Sequence, residues 1–185
     1  MNLLFRLLLT FNATSLLVII FLVQKTYTLG HFFDDCTFLV EMHNMVSYGL
    51  YFIVPVIFTG VSIYLSRYLG KDDFKTGQVT DMEHANNSFL PSYLGYFFVA
   101  LSIMNWETLF FVYGVLFVFT FLSQALYFNP LFLLFGFEFY NIKTKNGGAI
   151  FLISRHEYKT ADEIVIEEAH RINNYTFIER RSGTS

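Results

Sequence analysis

Long apolar runs separated by short polar segments fill the first two thirds of the chain. The run from Leu109 to Phe128 carries no charged side chain. A helix of about twenty apolar residues crosses the hydrocarbon core of a bilayer, and a helix that is apolar on every side has no face for water. Backbone polar groups in lipid must be satisfied within the segment, so this run predicts a transmembrane helix.

The same criterion predicts three further transmembrane helices. The run after Leu3 could also be a signal peptide, but its apolar part is longer than usual and no small-residue cleavage site follows it. Trp106 is typical of the aromatic belt at a membrane surface. The connection from Gly70 to Asn87 is hydrophilic, and we expect it to lie in water. The predicted spans are about 3–24, 45–69, 89–104 and 108–128.

The pattern changes to that of strands after Pro130. Phe135, Phe137 and Phe139 recur at every second position, as side chains on one face of a strand do. The turn at 145–148 contains an Asn-Gly pair, which favours a hairpin. Ala149 to His156 is then the returning strand.

A short helix and a third strand are predicted beyond this hairpin. Thr160 to Glu163 matches a capping box, and Val165, Ala169 and Ile172 would share one face of the helix it opens. The residues from Tyr175 to Arg180 alternate again. The predicted fold is therefore an α-helical integral membrane protein, with a four-helix transmembrane domain (1–128) and a small cytoplasmic α+β (ββαβ) module (129–185).

Composition supports the membrane class. Hydrophobic residues make up 54% of the chain and charged residues 15%, against roughly 45–50% and 25% in soluble domains. The formal charge of −3, without a clustered basic excess, argues against direct nucleic-acid binding. Cys36 is the single cysteine, so an intrachain disulfide and a thiolate metal site are excluded.

The distribution of Lys and Arg predicts the orientation. Of the 12 Lys and Arg, only Lys25 lies in the connection between the first two predicted spans. The others lie at the amino end, in the middle connection and in the carboxyl tail. Since basic residues concentrate on the cytoplasmic side, both termini are predicted to be cytoplasmic.

Polar side chains within the predicted spans carry two interpretations. Asn12 and Gln124 are candidates for hydrogen bonds between helices, because an amide at membrane depth needs a partner. Together with Thr14, Ser15 and Tyr127 they could instead line a wet path, so a small oligomeric channel or transporter is the alternative function. The spans lack the buried charges that usually mark ion routes.

Candidate chemistry is sparse. The segment with His31, Asp34, Asp35, Glu41 and His43 matches no zinc-protease or EF-hand pattern, and an envelope enzyme would need it to bind metal. We expect a solvated loop at the membrane surface instead.

Isolated histidines and one glutamate complete the candidates. His156, His170 and Glu138 are accompanied by no nucleophile elbow, phosphate-binding loop or paired carboxylates. The sequence therefore predicts no enzyme, no cofactor and no metal.

The predicted strands carry a candidate docking face. Phe135, Phe137 and Phe139, with Phe151 and Ile153 on the returning strand, form the predicted partner or oligomer interface. Burying each aromatic ring would contribute roughly 1.5–3 kcal/mol, which is too much apolar surface to leave in water. Lipid is the alternative cover.

The arrangement of the chain, from the first span at Leu3 to Val23 to the terminal FGFEFYNIKTKNGGAIFLISRHEY segment, resembles the membrane subunits of the Kiwa bacterial anti-phage defence system. The resemblance implies a multi-pass protein of the bacterial inner membrane that forms a homo-oligomer, a tetramer. It also implies a sensor and scaffold that detects phage at the envelope and recruits or activates a cytoplasmic, DNA-binding effector subunit. No site residues follow from the resemblance.

Overall fold

Four long helices form one part of the molecule. The two longest are the helix at the start of the chain and the long helix that follows the first connection. A computed structural model describes residues 3–74, 79–86, 90–123 and 129–180. The helices in these ranges are α1 (Leu3–Gln24), α2 (Leu29–Phe32), α3 (Thr37–Val40), α4 (Asn44–Leu65), α5 (Leu90–Ser102), α6 (Trp106–Ser123) and α7 (Leu131–Leu134).

Helix α1 is the centre of the helical packing and contacts α4, α5 and α6. Its apolar residues are buried against its neighbours, as Leu17 and Phe21 are against Ala100, Ile103 and Leu109. We call α1 to α6 the helical half of the molecule.

The prediction of four transmembrane helices is wrong. Within the described residues, only Leu3–Gln24 and Asn44–Tyr68 are long and apolar enough to cross a membrane, and α5 and α6 fall short. Helix α5 has 13 residues, a rise of about 20 Å against a hydrocarbon core of about 30 Å. Residues 124–128 of the last predicted span lie outside the described residues. Two such helices are weak evidence of membrane association, since length and composition alone select them.

Six strands form one mixed sheet, the sheet half of the molecule. In the sheet they lie in the order β1-β5-β6-β4-β3-β2, and every neighbouring pair is antiparallel except β4 and β6. The strands are β1 (Lys71–Phe74), β2 (Val79–His84), β3 (Glu138–Thr144), β4 (Ala149–Ser154), β5 (Ile166–Arg171) and β6 (Thr176–Glu179).

The ββαβ prediction is wrong in three places. The predicted first strand begins after Pro130, but Leu131–Leu134 form α7 and β3 begins at Glu138, because the apolar residues before it continue as a helical turn. The predicted helix is one 3₁₀ turn, Ala161–Glu163, followed by β5. Ile164 and Ile166 are buried at a period of two, and β-branched side chains favour a strand. The hydrophilic connection between α4 and α5 supplies β1 and β2 instead of only lying in water. The β3–β4 hairpin is confirmed, and the position of the domain boundary stays a prediction.

The sheet is strongly curled. Its two edge strands, β1 and β2, are separated in the sequence by only four residues, 75–78. From Phe74 to Val79 the chain can reach at most about 18 Å, whereas a flat six-stranded sheet would set its edges about 24 Å apart. The edges must therefore bend toward each other.

Curling gives the sheet an inner and an outer face, and both carry apolar cores. The inner core contains Tyr140, Leu152 and Phe177 and is closed by Tyr158 and Ile164. The outer core is shared with the helical half: Phe139, Phe151, Ile153 and Ile178 pack in one cluster with Phe5, Leu9, Ile63 and Tyr93 of that half and with Phe132 of α7. The helical and sheet halves are thus joined through a common core.

Candidate functional site

A cavity of about 860 Å³ lies where the end of α4 meets the outer face of the sheet. The chain contributes to it from α4 and the 3₁₀ turn that follows, from β1, and from the ends of β4, β5 and β6. Its lining is Ile63, Arg67, Tyr68, Lys71, Phe137, Arg155, His156, Glu168, His170, Glu179 and Arg180.

Two of the cavity arginines are brought together by the single parallel strand pair. In that pair Ile153 of β4 lies opposite Ile178 of β6. Arg155 and Arg180 each follow two residues later, so both leave the sheet at the same end and both line the cavity. This proximity depends on a parallel pairing of strands that are far apart in the sequence.

One of the two cavity carboxylates is neutralised by neighbours on the same face. The Lys71 Nζ atom lies 2.5 Å from Glu168 Oε1, and the His170 Nε2 atom lies 3.3 Å from the same oxygen. The hydrogen bond from Lys71 lowers the pKa of the Glu168 carboxyl below its ordinary value. Lys71 and His170 are also opposite each other in the β1–β5 register.

The other cavity carboxylate is engaged by hydroxyl groups. Tyr158 Oη donates a hydrogen bond of 2.9 Å to Glu179 Oε1, and Ser154 Oγ donates to Glu179 Oε2. Burial first, and the Glu179 carboxylate second, raise the pKa of the Tyr158 phenol above its ordinary value. Glu179 therefore has its oxygens occupied before any ligand arrives.

The three arginines of the cavity remain without a counter-charge. Among the described residues no carboxylate lies within 4 Å of the guanidinium groups of Arg67, Arg155 or Arg180. Arg155 lies over the Phe137 ring at 4.5 Å, and Arg67 lies over the rings of Tyr64 and Tyr68. The cavity therefore presents positive charge between aromatic walls, an arrangement that suits an anion.

The five residues of the predicted interface lie inside the molecule. Phe137, Phe139, Phe151 and Ile153 are buried, and Phe135 is half-buried against the same outer core. The chain's own helices cover this face, so exposed aromatic surface no longer supports a docking role for them. Their contact with a partner stays a prediction.

Asn12 forms a hydrogen bond between helices. Its Nδ2 atom donates to Ser62 Oγ at 2.8 Å and joins α1 to α4. Thr14 is also buried, at 3.3 Å from the Tyr113 hydroxyl of α6. Ser15, of the same hypothetical channel, is buried too. Gln124 and Tyr127, the remaining two, lie outside the described residues.

The histidine-rich connection lies at the opposite end of the helical half from the sheet. The His31 ring stacks on Tyr27 at 4.6 Å, and Tyr27 stacks on Trp106 at 5.6 Å. His43 Nδ1 accepts a hydrogen bond from the Met45 N–H at the start of α4. Asp34, Asp35 and Glu41 are exposed, and the described residues contain no group of three or more His, Cys, Asp or Glu that could hold a metal ion.

The sequence analysis treated His156, His170 and Glu138 as separate candidates. The structure brings His156 and His170 to the same cavity, whereas Glu138 is bound elsewhere, by Tyr140 Oη at 2.6 Å. The cavity residues that sequence reasoning missed are Arg67, Lys71, Arg155, Glu168, Glu179 and Arg180. A local signal exists for only two of them, since Arg155 and Arg180 each end an apolar strand.

Comparison with known proteins gives one family. No curated protein and no solved structure matches the chain. The family model described as anti-phage protein KwaA matches residues 5–178, which include both halves of the molecule and all of the cavity lining except Glu179 and Arg180. This match confirms the resemblance to the Kiwa defence system, and the chain belongs to the KwaA family of anti-phage proteins.

Proposed function

We propose that the chain is a membrane sensor and scaffold of an anti-phage defence complex. In this proposal the helical half contacts the lipid bilayer of the bacterial inner membrane and responds to phage at the envelope. The sheet half lies in the cytoplasm and recruits or activates a DNA-binding effector subunit. The chain acts as a homo-oligomer, a tetramer, and itself neither binds nucleic acid nor catalyses a reaction.

The surface of α4 supports contact with lipid. Only 22% of the residues in its most apolar stretch are buried, whereas the core helix of a soluble protein is mostly buried. Large apolar side chains remain exposed along its length, including Phe52, Ile57 and Val61. Exposed apolar surface of this extent is typical of a protein whose surroundings are themselves apolar.

The ends of the helices support a cytoplasmic sheet. Phe5 near the start of α1 and Ile63 near the end of α4 both pack in the outer core. The amino-terminal end of α1 therefore lies on the same side as the sheet. Arg6, Arg67 and Lys71 are at this end, and Lys25 is at the other, which agrees with a cytoplasmic position for the basic side.

The shared outer core is the observation that carries a sensor role. Leu9 and Ile63 from the helical half and Phe139 and Ile153 from the sheet half are all buried in one cluster. Densely packed interiors transmit displacement, because they repack in steps instead of deforming continuously. A shift of α1 against α4 would therefore move the sheet surface on which an effector docks.

Co-purification of the effector from phage-challenged cells tests this role. Leu9→Ala, which opens the shared core, should leave the chain in the membrane fraction but reduce effector capture or protection from phage. The matched control is Phe110→Ala on the exposed face of α6. A wild-type chain in the soluble fraction, or a Leu9→Ala chain that captures effector and protects normally, would contradict the proposal.

A further inference from the structure

We propose that the cavity between α4 and the sheet binds the phosphate group of an anionic ligand. Four cationic side chains line it, those of Arg67, Lys71, Arg155 and Arg180. Its two carboxylates offset two of these four charges: Glu168 is paired with Lys71, and Glu179, whose oxygens accept from Ser154 and Tyr158, offsets one arginine, so these six groups leave a formal charge of +2 (4 − 2). A positive cavity with occupied carboxylates is an anion site.

The number and kind of cations favour phosphate over a carboxylate ligand. A guanidinium group donates two parallel hydrogen bonds to phosphate oxygens, and a tetrahedral phosphate can accept such pairs from several directions. Arg155 and Arg180 leave neighbouring parallel strands, which lie about 4.8 Å apart. Side chains that start from neighbouring strands can reach different oxygens of one phosphate.

Arg67 approaches from the opposite wall of the cavity. Its guanidinium group lies over the rings of Tyr64 and Tyr68, and its Nη2 atom donates to both tyrosine hydroxyls. Its Nε atom is buried without a hydrogen-bond partner among the described residues, and buried donors are normally satisfied, so a shift of this guanidinium toward a ligand would give that donor a partner. A phosphate held between Arg67 and the Arg155–Arg180 pair would join the end of α4 to the parallel strands.

Two sources could supply the phosphate. Arg67, Tyr64 and Tyr68 lie at the end of the candidate membrane span Asn44–Tyr68, where basic pockets hold lipid headgroups. The headgroup of an anionic phospholipid is therefore one source, and it rests on the membrane position proposed above. A soluble phosphate ester such as a nucleotide is the other, and it does not depend on that position.

Two measurements on the full chain separate these sources. The first is native mass spectrometry of phosphatidylglycerol retained by the chain after release from nanodiscs of phosphatidylcholine and phosphatidylglycerol. The second is calorimetric titration, in detergent free of phospholipid, with ATP and with inorganic phosphate. The variant is Arg155→Gln combined with Arg180→Gln. The control is Arg171→Gln, an exposed arginine that lies 2.9 Å from Asp72 and does not line the cavity.

We expect one of the probes to bind the wild-type chain and the double variant to bind it about tenfold more weakly or worse, since two charge-assisted contacts are lost. Arg171→Gln should bind like the wild type. Arg155→Lys with Arg180→Lys should recover part of the affinity, and binding should weaken as salt rises. If the double variant does not fold, the comparison passes to Arg155→Gln alone, at an exposed position.

Absence of binding by all three probes to the wild-type chain overturns the proposal, and so does equal binding by wild type, double variant and control. Membrane fractionation of the same samples keeps this result separate from the sensor role. A chain that stays in the membrane and captures effector, yet binds no probe, refutes the phosphate site alone.

Discussion

The helical half and the sheet half bury different mixtures of side chains. Within α1 and α4 many buried positions are polar, and α4 directs many of its large apolar residues outward. In the sheet the inner core is almost wholly apolar and the charged residues lie outside. The buried polar residues of the two helices are Thr10, Asn12, Thr14, Ser15, Ser47, Thr59 and Ser62.

This difference indicates that different forces stabilise the interiors of the two halves. In water, burial of apolar surface stabilises a sheet. In lipid that driving force is absent, and small polar side chains join helices through close packing and hydrogen bonds. The composition of each interior therefore agrees with the solvent that the proposed function gives it: water around the sheet and hydrocarbon around the helices.

The largest expected effect comes from the core that the two halves share. Phe139→Ala removes a fully buried ring and should lower the free energy of unfolding of the sheet half by about 3–5 kcal/mol. Chemical unfolding in detergent, followed by protease resistance of the sheet, measures this loss. Phe110→Ala, at a ring that is 69% exposed, should change it little. Equal losses in both variants would break the comparison.

A lysine on the outward face of α4 tests the solvent directly. Ile57 is 59% exposed near the middle of the helix, so Ile57→Lys should cost about 2.5–3.5 kcal/mol if that face meets hydrocarbon. The readout is the fraction of the chain that remains in alkaline-washed membranes. Asn141→Lys, at an exposed position of β3, should leave this fraction unchanged. An unaffected Ile57→Lys variant would show that water surrounds both halves.

The hydrogen bond from Tyr158 to Glu179 tests how much a polar contact contributes to the stability of the sheet half. Tyr158→Phe should lower stability by about 1.5–3 kcal/mol, because the bond is made to a charged group. Since burial and Glu179 raise the folded pKa of Tyr158, this stabilisation is complete below the unfolded value of 10.0 and is lost as pH rises further. The free energy of unfolding, measured between neutral and alkaline pH, should therefore fall less steeply with pH in Tyr158→Phe than in the wild type. An identical slope would refute the role of Tyr158.

The smallest expected effect lies in the polar interior of the helices. A double-mutant cycle of Asn12→Ala and Ser62→Ala should give a coupling of about 0.6 kcal/mol, and at most about 1.7 kcal/mol, as for other hydrogen bonds between membrane helices. The free energies come from unfolding in mixed micelles. A coupling of zero would mean that Asn12 and Ser62 are not energetic partners in the folded chain.

Local patterns predicted the parts of the fold that depend on neighbours in sequence. The runs at α1 and α4 gave helices, and the Asn-Gly turn gave the β3–β4 hairpin, with Gly147 at a positive φ of 77°. Strands β1 and β2 were missed because they are edge strands rich in charge, in which Val79 is the only fully buried described side chain. The segment before β5 was misread because the residues of the capping box open only the single turn Ala161–Glu163, in which Thr160 makes no side-chain cap hydrogen bond and Glu163 accepts from the Lys159 N–H.

The cavity could not be predicted from local patterns. Arg67, Arg155 and Arg180 come from elements that are distant in sequence, and they meet only because β4 and β6 are parallel and α4 ends at their side. A histidine in a sequence is readily considered as a catalytic or metal-binding candidate, whereas three arginines spread over more than a hundred residues suggest no common site. Only the folded structure shows that none of the three arginines has a carboxylate within 4 Å among the described residues.

The curl of the sheet also determines how copies of this chain can meet. An exposed strand edge offers unpaired N–H and C=O groups to any other strand, a hazard for proteins concentrated in the plane of a membrane. Here the two edges turn toward each other, and they carry Lys71, Asp72, Asp81 and Glu83. Growth of the sheet by adding strands from another copy is therefore disfavoured, which leaves helix surfaces and side-chain faces as the routes to the homo-oligomer proposed above.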